Sequence, residues 1–426
     1  MTAVVSAVSI IAYAVSLIKF RGKWIQQQIV FLVIYLIGLT LVGELDVLLP
    51  IYFVVSLIPF LRHIRKISVF TGAILFYFML YLVYGVVNQN TVGSIVTFIA
   101  KMWQFIIFFV VYDANIVLCK ENYKKIVFGA AIVETVLGVY LMINSKNIDA
   151  NGLVRLVSNS QPITGNASTV ILPVSAYFYI LNRSDSKKTK WLLLVSLFML
   201  VWIVLSGTRG YTLEFAATMV LIFYDYFTTT RVGNISKKNR AFVATVLVMI
   251  SAILIIGVPV IFEKLESILR LKSDVGIRTF ENAAVIEFIK TTSIPVTLFG
   301  IGLGGKAGNY PEMRSALYEQ FSRGMWNEAH YLKEYGALFH NLYGNVLMCL
   351  GVIGIIAFIW MSISIGKRIT KSCGSSALLK KIMHLFFISF LLMNYYRWSA
   401  DCGISEMIIF ALILKLIEQK EWTEVE

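Results

Sequence analysis

Three side chains set far apart in this sequence have the chemistry to hold a phosphorylated substrate and activate a hydroxyl: Arg209, Arg278 and His340. Arg209 stands in the short break Ser206, Gly207, Thr208, Arg209, Gly210 between two apolar runs. A guanidinium held at so tight a turn presents a rigid fork that matches phosphate oxygens two at a time, and flanking glycines let backbone N–H groups approach the same anion. The plainer reading is an interface arginine reaching for water. Arg278 opens a segment whose apolar residues Phe280, Ala283, Ala284, Ile286, Phe288 and Ile289 recur at helical spacing. A cation at a helix start opposes the helix dipole, whereas a bound phosphate satisfies both. His340 stands where a long polar segment meets the next apolar run. An imidazole with a pKa near about 6.5 takes a proton from a hydroxyl at neutral pH, although a lone histidine at such an edge is also an ordinary structural residue.

Further candidates surround these three. Asn341 and Tyr343 follow His340 directly and are expected to bind substrate, as is Arg155, with Asn159, Gln161 and Asn166 after it. Arg397 lies among Tyr395, Tyr396 and Trp398, an arrangement that stacks on sugar faces or forms an aromatic belt with a cation. Glu214 follows Arg209 by about one turn into an apolar run, and an acid inside a membrane is a functional candidate by default. The stretch Phe299, Gly300, Ile301, Gly302, Leu303, Gly304, Gly305 resembles a phosphate cradle but lacks the Lys and Ser/Thr of a P-loop. It reads as a tight turn. No Asp-x-Asp metal signature occurs in the large polar segment, and neither a metal nor a cofactor is expected.

The elements that position these residues are apolar helices. Of all residues 58% are hydrophobic and 15% charged, against roughly 45–50% and about 25% in soluble domains. Apolar runs near the length that crosses a bilayer recur along the chain. Barrel strands would alternate in short segments instead. The runs fall at 3–18, 28–43, 47–61, 69–87, 95–112, 126–143, 165–181, 191–205, 211–228, 242–262, 341–365, 381–396 and 403–417. The expected fold is therefore an all-α polytopic membrane protein of about 12–13 transmembrane helices with one large extracytoplasmic loop. It divides into N-terminal helices 1–262 with an outer loop at 144–164, the loop 263–340 with amphipathic helices at 278–289 and 312–335, and C-terminal helices 341–426. His330, in the second of these helices, reads as a solvated surface residue.

Most of the 38 Lys and Arg lie in alternate breaks, among them Arg62/Arg65/Lys66, Lys120/Lys124/Lys125, Lys367/Arg368/Lys371/Lys380/Lys381 and Lys415/Lys420. The positive-inside rule makes these breaks cytoplasmic and puts Arg209, Arg278 and His340 outside. The same rule accounts for the net charge of +14 without any nucleic-acid partner. The cysteines Cys119, Cys349, Cys373 and Cys402 have no metal or disulfide spacing and read as packing residues. No cleaved signal peptide is expected, and no half-to-half repeat of the kind found in many transporters is visible.

Four segments in order, SGTRG at 206–210, the Arg-led segment at 278–289, FGIGLGG at 299–305 and FHNLYGNVLMCLGVIG at 339–354, resemble the O-antigen ligase and O-antigen or capsule polymerase superfamily of the Wzy C-terminal-domain type. The matching stretch covers about 206–360, and Thr208 stands where serine is common while Cys349 or Leu350 stands where an acid is usual. The resemblance implies a metal-independent, membrane-embedded glycosyltransferase of GT-C-like architecture in the bacterial cytoplasmic (inner) membrane, its site facing the periplasm or exterior. It implies donor and acceptor glycans on undecaprenyl pyrophosphate, with membrane lipid around them and a chain-length regulator protein as a further partner. Arg209 and Arg278 would hold the pyrophosphate and His340 would activate the acceptor hydroxyl. Polymerase is the expected activity. The alternatives are a ligase that uses the same donor and another acceptor, or a polysaccharide flippase, which predicts charged residues at several depths of the bundle.

Overall fold

The computed structural model describes residues 2–20, 68–88, 90, 95, 104–114, 285–305, 342–396 and 401–419. Every regular element among them is helical: α1 (Thr2–Lys19), α2 (Val69–Val87), α3 (Gln104–Asp113), α4 (Ile294–Phe299), α5 (Leu342–Ser372), α6 (Ala377–Tyr396) and α7 (Asp401–Glu418). Residues 285–291 are also helical. Among the described residues, α2 and α5 are long and apolar enough to cross a membrane.

Local sequence explains α2. Ser68 caps its first turn by accepting the Thr71 N–H at 3.1 Å, and the apolar run continues unbroken to Val87. Thr71, Ile74, Phe78, Tyr81 and Gly85 recur every three or four residues and form the buried stripe. Phe76, Met79, Leu80 and Val83 are exposed, an outward apolar face that suits hydrocarbon rather than water. α3 and α7 pack against one another and are buried all round over 105–112 and 407–416, as interior helices are. The Phe105, Phe108 and Phe109 side chains of α3 are fully buried, and Phe108 meets Phe410 of α7 at 5.6 Å between ring centroids.

α5 departs from the expected span at 341–365 in two ways. At Gly351 the backbone leaves helical geometry (φ 66°, ψ −166°), so the element is two helices joined at a kink. The Tyr343 ring lies 5.5 Å from the Phe358 ring, whereas the intervening residues would set them roughly 22 Å apart along a straight helix. Residues 342–350 thus fold back beside the longer half. The helix also runs on through Lys367, Arg368 and Lys371 to Ser372, and α6 begins at Ala377 rather than 381. The expected basic break at 366–380 shrinks to the turn 373–376. Charged side chains did not end this helix because Arg368 and Lys371 find carboxylates on neighbouring helices.

Two polar assemblies bracket the apolar packing. Ser68 at the start of α2, Asp113 at the end of α3, Arg368 and Ser372 at the end of α5, and Glu418 at the end of α7 gather at one end. The kink at Gly351 and the C-terminal end of α2 gather at the other. Ser68 to Gly85 and Gly351 to Arg368 are equal stretches of helix, about 25 Å each at 1.5 Å per residue, close to the ~30 Å of a bilayer core. α2 therefore runs from the ionic end toward the kink, and the long half of α5 runs back from the kink to the ionic end.

Candidate functional site

The glycine turn at 299–305 is built on a broken helix. A break at Gly351 deprives the carbonyls of Met348, Cys349 and Leu350 of their partners one turn on. The turn supplies replacements: the Ile301 N–H donates to Met348 O and the Gly302 N–H to Cys349 O, both at 3.0 Å. The Tyr81 hydroxyl donates to Leu350 O at 3.1 Å. From the same side of α2, Tyr84 donates to Gly300 O at 3.3 Å and Asn88 to Ile301 O at 3.2 Å. Asn90 donates to Leu303 O at 2.9 Å and to Ile301 O at 3.2 Å. Backbone polar groups at membrane depth must be satisfied within the protein, and this interlock does so with residues more than 200 positions apart.

Only glycine fits several places in it. Gly300, Gly302 and Gly304 hold φ values of 73°, 84° and 79°, the left-handed region that a side chain disfavours. A Cβ on Gly300 would meet the Cys349 carbonyl, and one on Gly351 would meet Leu298 O and Gly300 N. Because the Ile301 and Gly302 amides are spent on α5, they are not free to cradle a phosphate. The reading of this segment as a tight turn agrees with that geometry, and Cys349, fully buried beside it, is a free thiol.

At the opposite end lies an ionic network that the sequence reading did not single out. Asp113 accepts from Ser68 Oγ at 2.7 Å and from Thr71 Oγ1, and Arg368 Nη2 lies 3.4 Å from its other oxygen. The guanidinium sits among rings, 4.6 Å from Phe109 and 5.4 Å from both Phe70 and Tyr112, a cation–π setting. Tyr112 donates to Glu418 at 2.9 Å and meets Ser372 at 3.0 Å, while Lys371 pairs with Glu418 at 2.8 Å. Lys415 donates to the Tyr112 and Ala114 carbonyls. The available signal was an acid, Asp113, closing the uncharged stretch 104–112. Its pairing with Arg368 crosses 255 positions and could not be read from spacing. At this end burial pushes the Cys373 thiol up to about 12, against an opposing effect of Lys380.

Of the sequence-derived site residues, Tyr343 is described. Its hydroxyl donates to Leu391 O at 2.6 Å, tying the short half of α5 to α6. Arg155, Arg209, Glu214, Arg278, His340, Asn341 and Arg397 lie outside the described residues. Among the described residues no cluster of His, Cys, Asp or Glu could hold a metal ion. No protein-family model matches the chain, and no curated protein compared with it matches either.

Proposed function

We propose that this chain is a membrane glycosyltransferase that polymerises oligosaccharide repeat units carried on undecaprenyl pyrophosphate at the outer face of the bacterial cytoplasmic membrane. The observation that carries the reading is the ordered set of four segments between Ser206 and Gly354. In its support, FGIGLGG and the Gly351–Gly354 segment, separate in sequence, pack directly on one another. In this reading the ionic end faces the cytoplasm and the glycine interlock lies toward the exterior, as the positive-inside rule requires.

The chemistry follows from the leaving group. An acceptor sugar hydroxyl attacks the anomeric carbon of the donor, the bond from that carbon to the phosphate oxygen breaks, and undecaprenyl pyrophosphate departs with the electron pair. Arg209 and Arg278 offset the charge that develops on the pyrophosphate. His340 takes the acceptor proton. In sequence, the segment that begins with Arg278 precedes the glycine turn and His340 stands two residues before the broken helix.

The test is reconstitution of the purified chain in vesicles with a lipid-linked repeat unit alone. A ladder of product lengths is expected. Product that forms only when a second kind of acceptor is added would make the chain a ligase, and no turnover of the lipid-linked donor under either condition would reject both.

A further inference from the structure

The hairpin of α5 and α6 carries more positive charge than its neighbours neutralise. Lys367, Arg368, Lys371, Lys380 and Lys381 lie within or beside it, with His384 one turn further along α6. Asp113 takes Arg368 and Glu418 takes Lys371, and among the described residues no carboxylate pairs with Lys367, Lys380 or Lys381. The two helices are joined at this level, since the Thr370 hydroxyl and His384 Nε2 lie 3.4 Å apart. Lys367 is one turn from Thr370, and Lys380 and Lys381 are one turn from His384, which places three lysines within about two helical turns of that bridge. Lys367, Thr370 and Lys381 are exposed.

The surface above this patch is apolar. Trp360 and Ile363 lie two turns and one turn from Lys367 along α5 and are 50% and 53% exposed, and Ile388 and Leu392 of α6 are 51% and 62% exposed. A small soluble anion would use the lysines and leave that strip without a purpose. A two-chain acidic lipid would use both, its phosphate against the cations and its acyl chains along Ile363, Trp360 and Ile388.

We propose that the α5–α6 hairpin is a binding site for an acidic phospholipid of the adjacent leaflet. Basic pockets between membrane helices hold acidic headgroups in this manner, and the charge left over after the two ion pairs supplies the selectivity. The site does not depend on the glycosyltransferase reading.

Trp360 provides the readout. The full chain is reconstituted in vesicles containing either phosphatidylglycerol or phosphatidylcholine with brominated acyl chains, and the quenching attributable to Trp360 is taken as the difference from Trp360→Phe. Brominated phosphatidylglycerol is expected to quench Trp360 at lower mole fraction than brominated phosphatidylcholine. In Lys367→Gln/Lys381→Gln that preference should fall about 30-fold, from about 1 kcal/mol per lysine contact, while quenching by phosphatidylcholine stays the same and reports an intact hairpin. Equal quenching by the two lipids in the parent chain, or an undiminished preference in the double variant, overturns the proposal. So does loss of the preference on adding inorganic phosphate at constant ionic strength, which would make the occupant a free anion.

Discussion

A methyl group at Gly351 would collide with the Leu298 carbonyl and the Gly300 amide while holding φ at 66°. The left-handed conformation alone costs about 1–2 kcal/mol, and the colliding atoms are backbone with little room to move. Gly351→Ala is therefore expected to lower the thermal midpoint in detergent by more than that strain alone would. Gly366, in the same helix, has nothing within 4 Å of its would-be Cβ, so Gly366→Ala should instead stabilise by about 0.5–1 kcal/mol through helix propensity. A midpoint that moves the same way in both variants would contradict the described kink. Asp113 and Arg368 form a second residue-scale test, their side chains only 11% and 16% exposed. Removing either partner strands the other, at about 3–5 kcal/mol for a buried pair. Asp113→Ala and Arg368→Ala together should cost much less than the two losses added, and strict additivity in the double-mutant cycle would show that the contact carries no coupling. Cys373 should alkylate far more slowly at pH 8 than a solvent-exposed thiol. Its pKa of about 12 keeps the thiolate scarce until the pH rises toward that value.

At the scale of elements, α2 holds the glycine turn and the broken helix together through a few side-chain donors. Tyr81→Phe leaves Leu350 O unsatisfied in an apolar setting, a loss of about 1–3 kcal/mol. Asn90→Ala removes two hydrogen bonds and Asn88→Ala removes one, so the Asn90 variant should be the less stable by thermal unfolding. Equal stability of the parent, Tyr81→Phe and Asn90→Ala would mean that the break at Gly351 is capped otherwise. Because Arg278 and His340 precede in sequence the two segments that the interlock joins, the glycosyltransferase reading expects these variants to lose turnover as well. Arg209→Ala, Arg278→Ala and His340→Ala should lose turnover while keeping the parent's unfolding midpoint, and near-normal rates in all three would remove the site assignment.

For the whole molecule the open quantity is sidedness. Four of the described helices place Ser68, Asp113, Arg368 and Glu418 at one end, and the proposed function requires that end to be cytoplasmic, as its lysine excess suggests. In a chain whose four cysteines are replaced by alanine, Ser375→Cys in the α5–α6 turn should react in intact cells with membrane-permeant maleimides alone. Arg155→Cys should react with impermeant ones. Labelling of Ser375→Cys from outside would invert the arrangement and place the proposed chemistry on the wrong face.

Among the described residues, the positions of several long apolar helices were legible in the sequence because hydrocarbon selects continuous apolar runs of fixed length. α2 at 69–87 and the runs that became α1, α6 and α7 lie within a few residues of their expected bounds. The glycine turn at 299–305 was legible too, since glycine at alternate positions has few other uses. Tertiary structure alone decided what the turn is for. The carbonyls it caps are orphaned by a kink at Gly351, and neither the kink nor the donors on α2 leave a periodic mark, because they answer to each other across the fold. The same holds for Arg368, which looked like a loop cation until Asp113 and three aromatic rings allowed it to remain within a helix. Spacing along a chain records which solvent a face meets, whereas the pairing of two distant polar groups depends on a geometry that only packing creates.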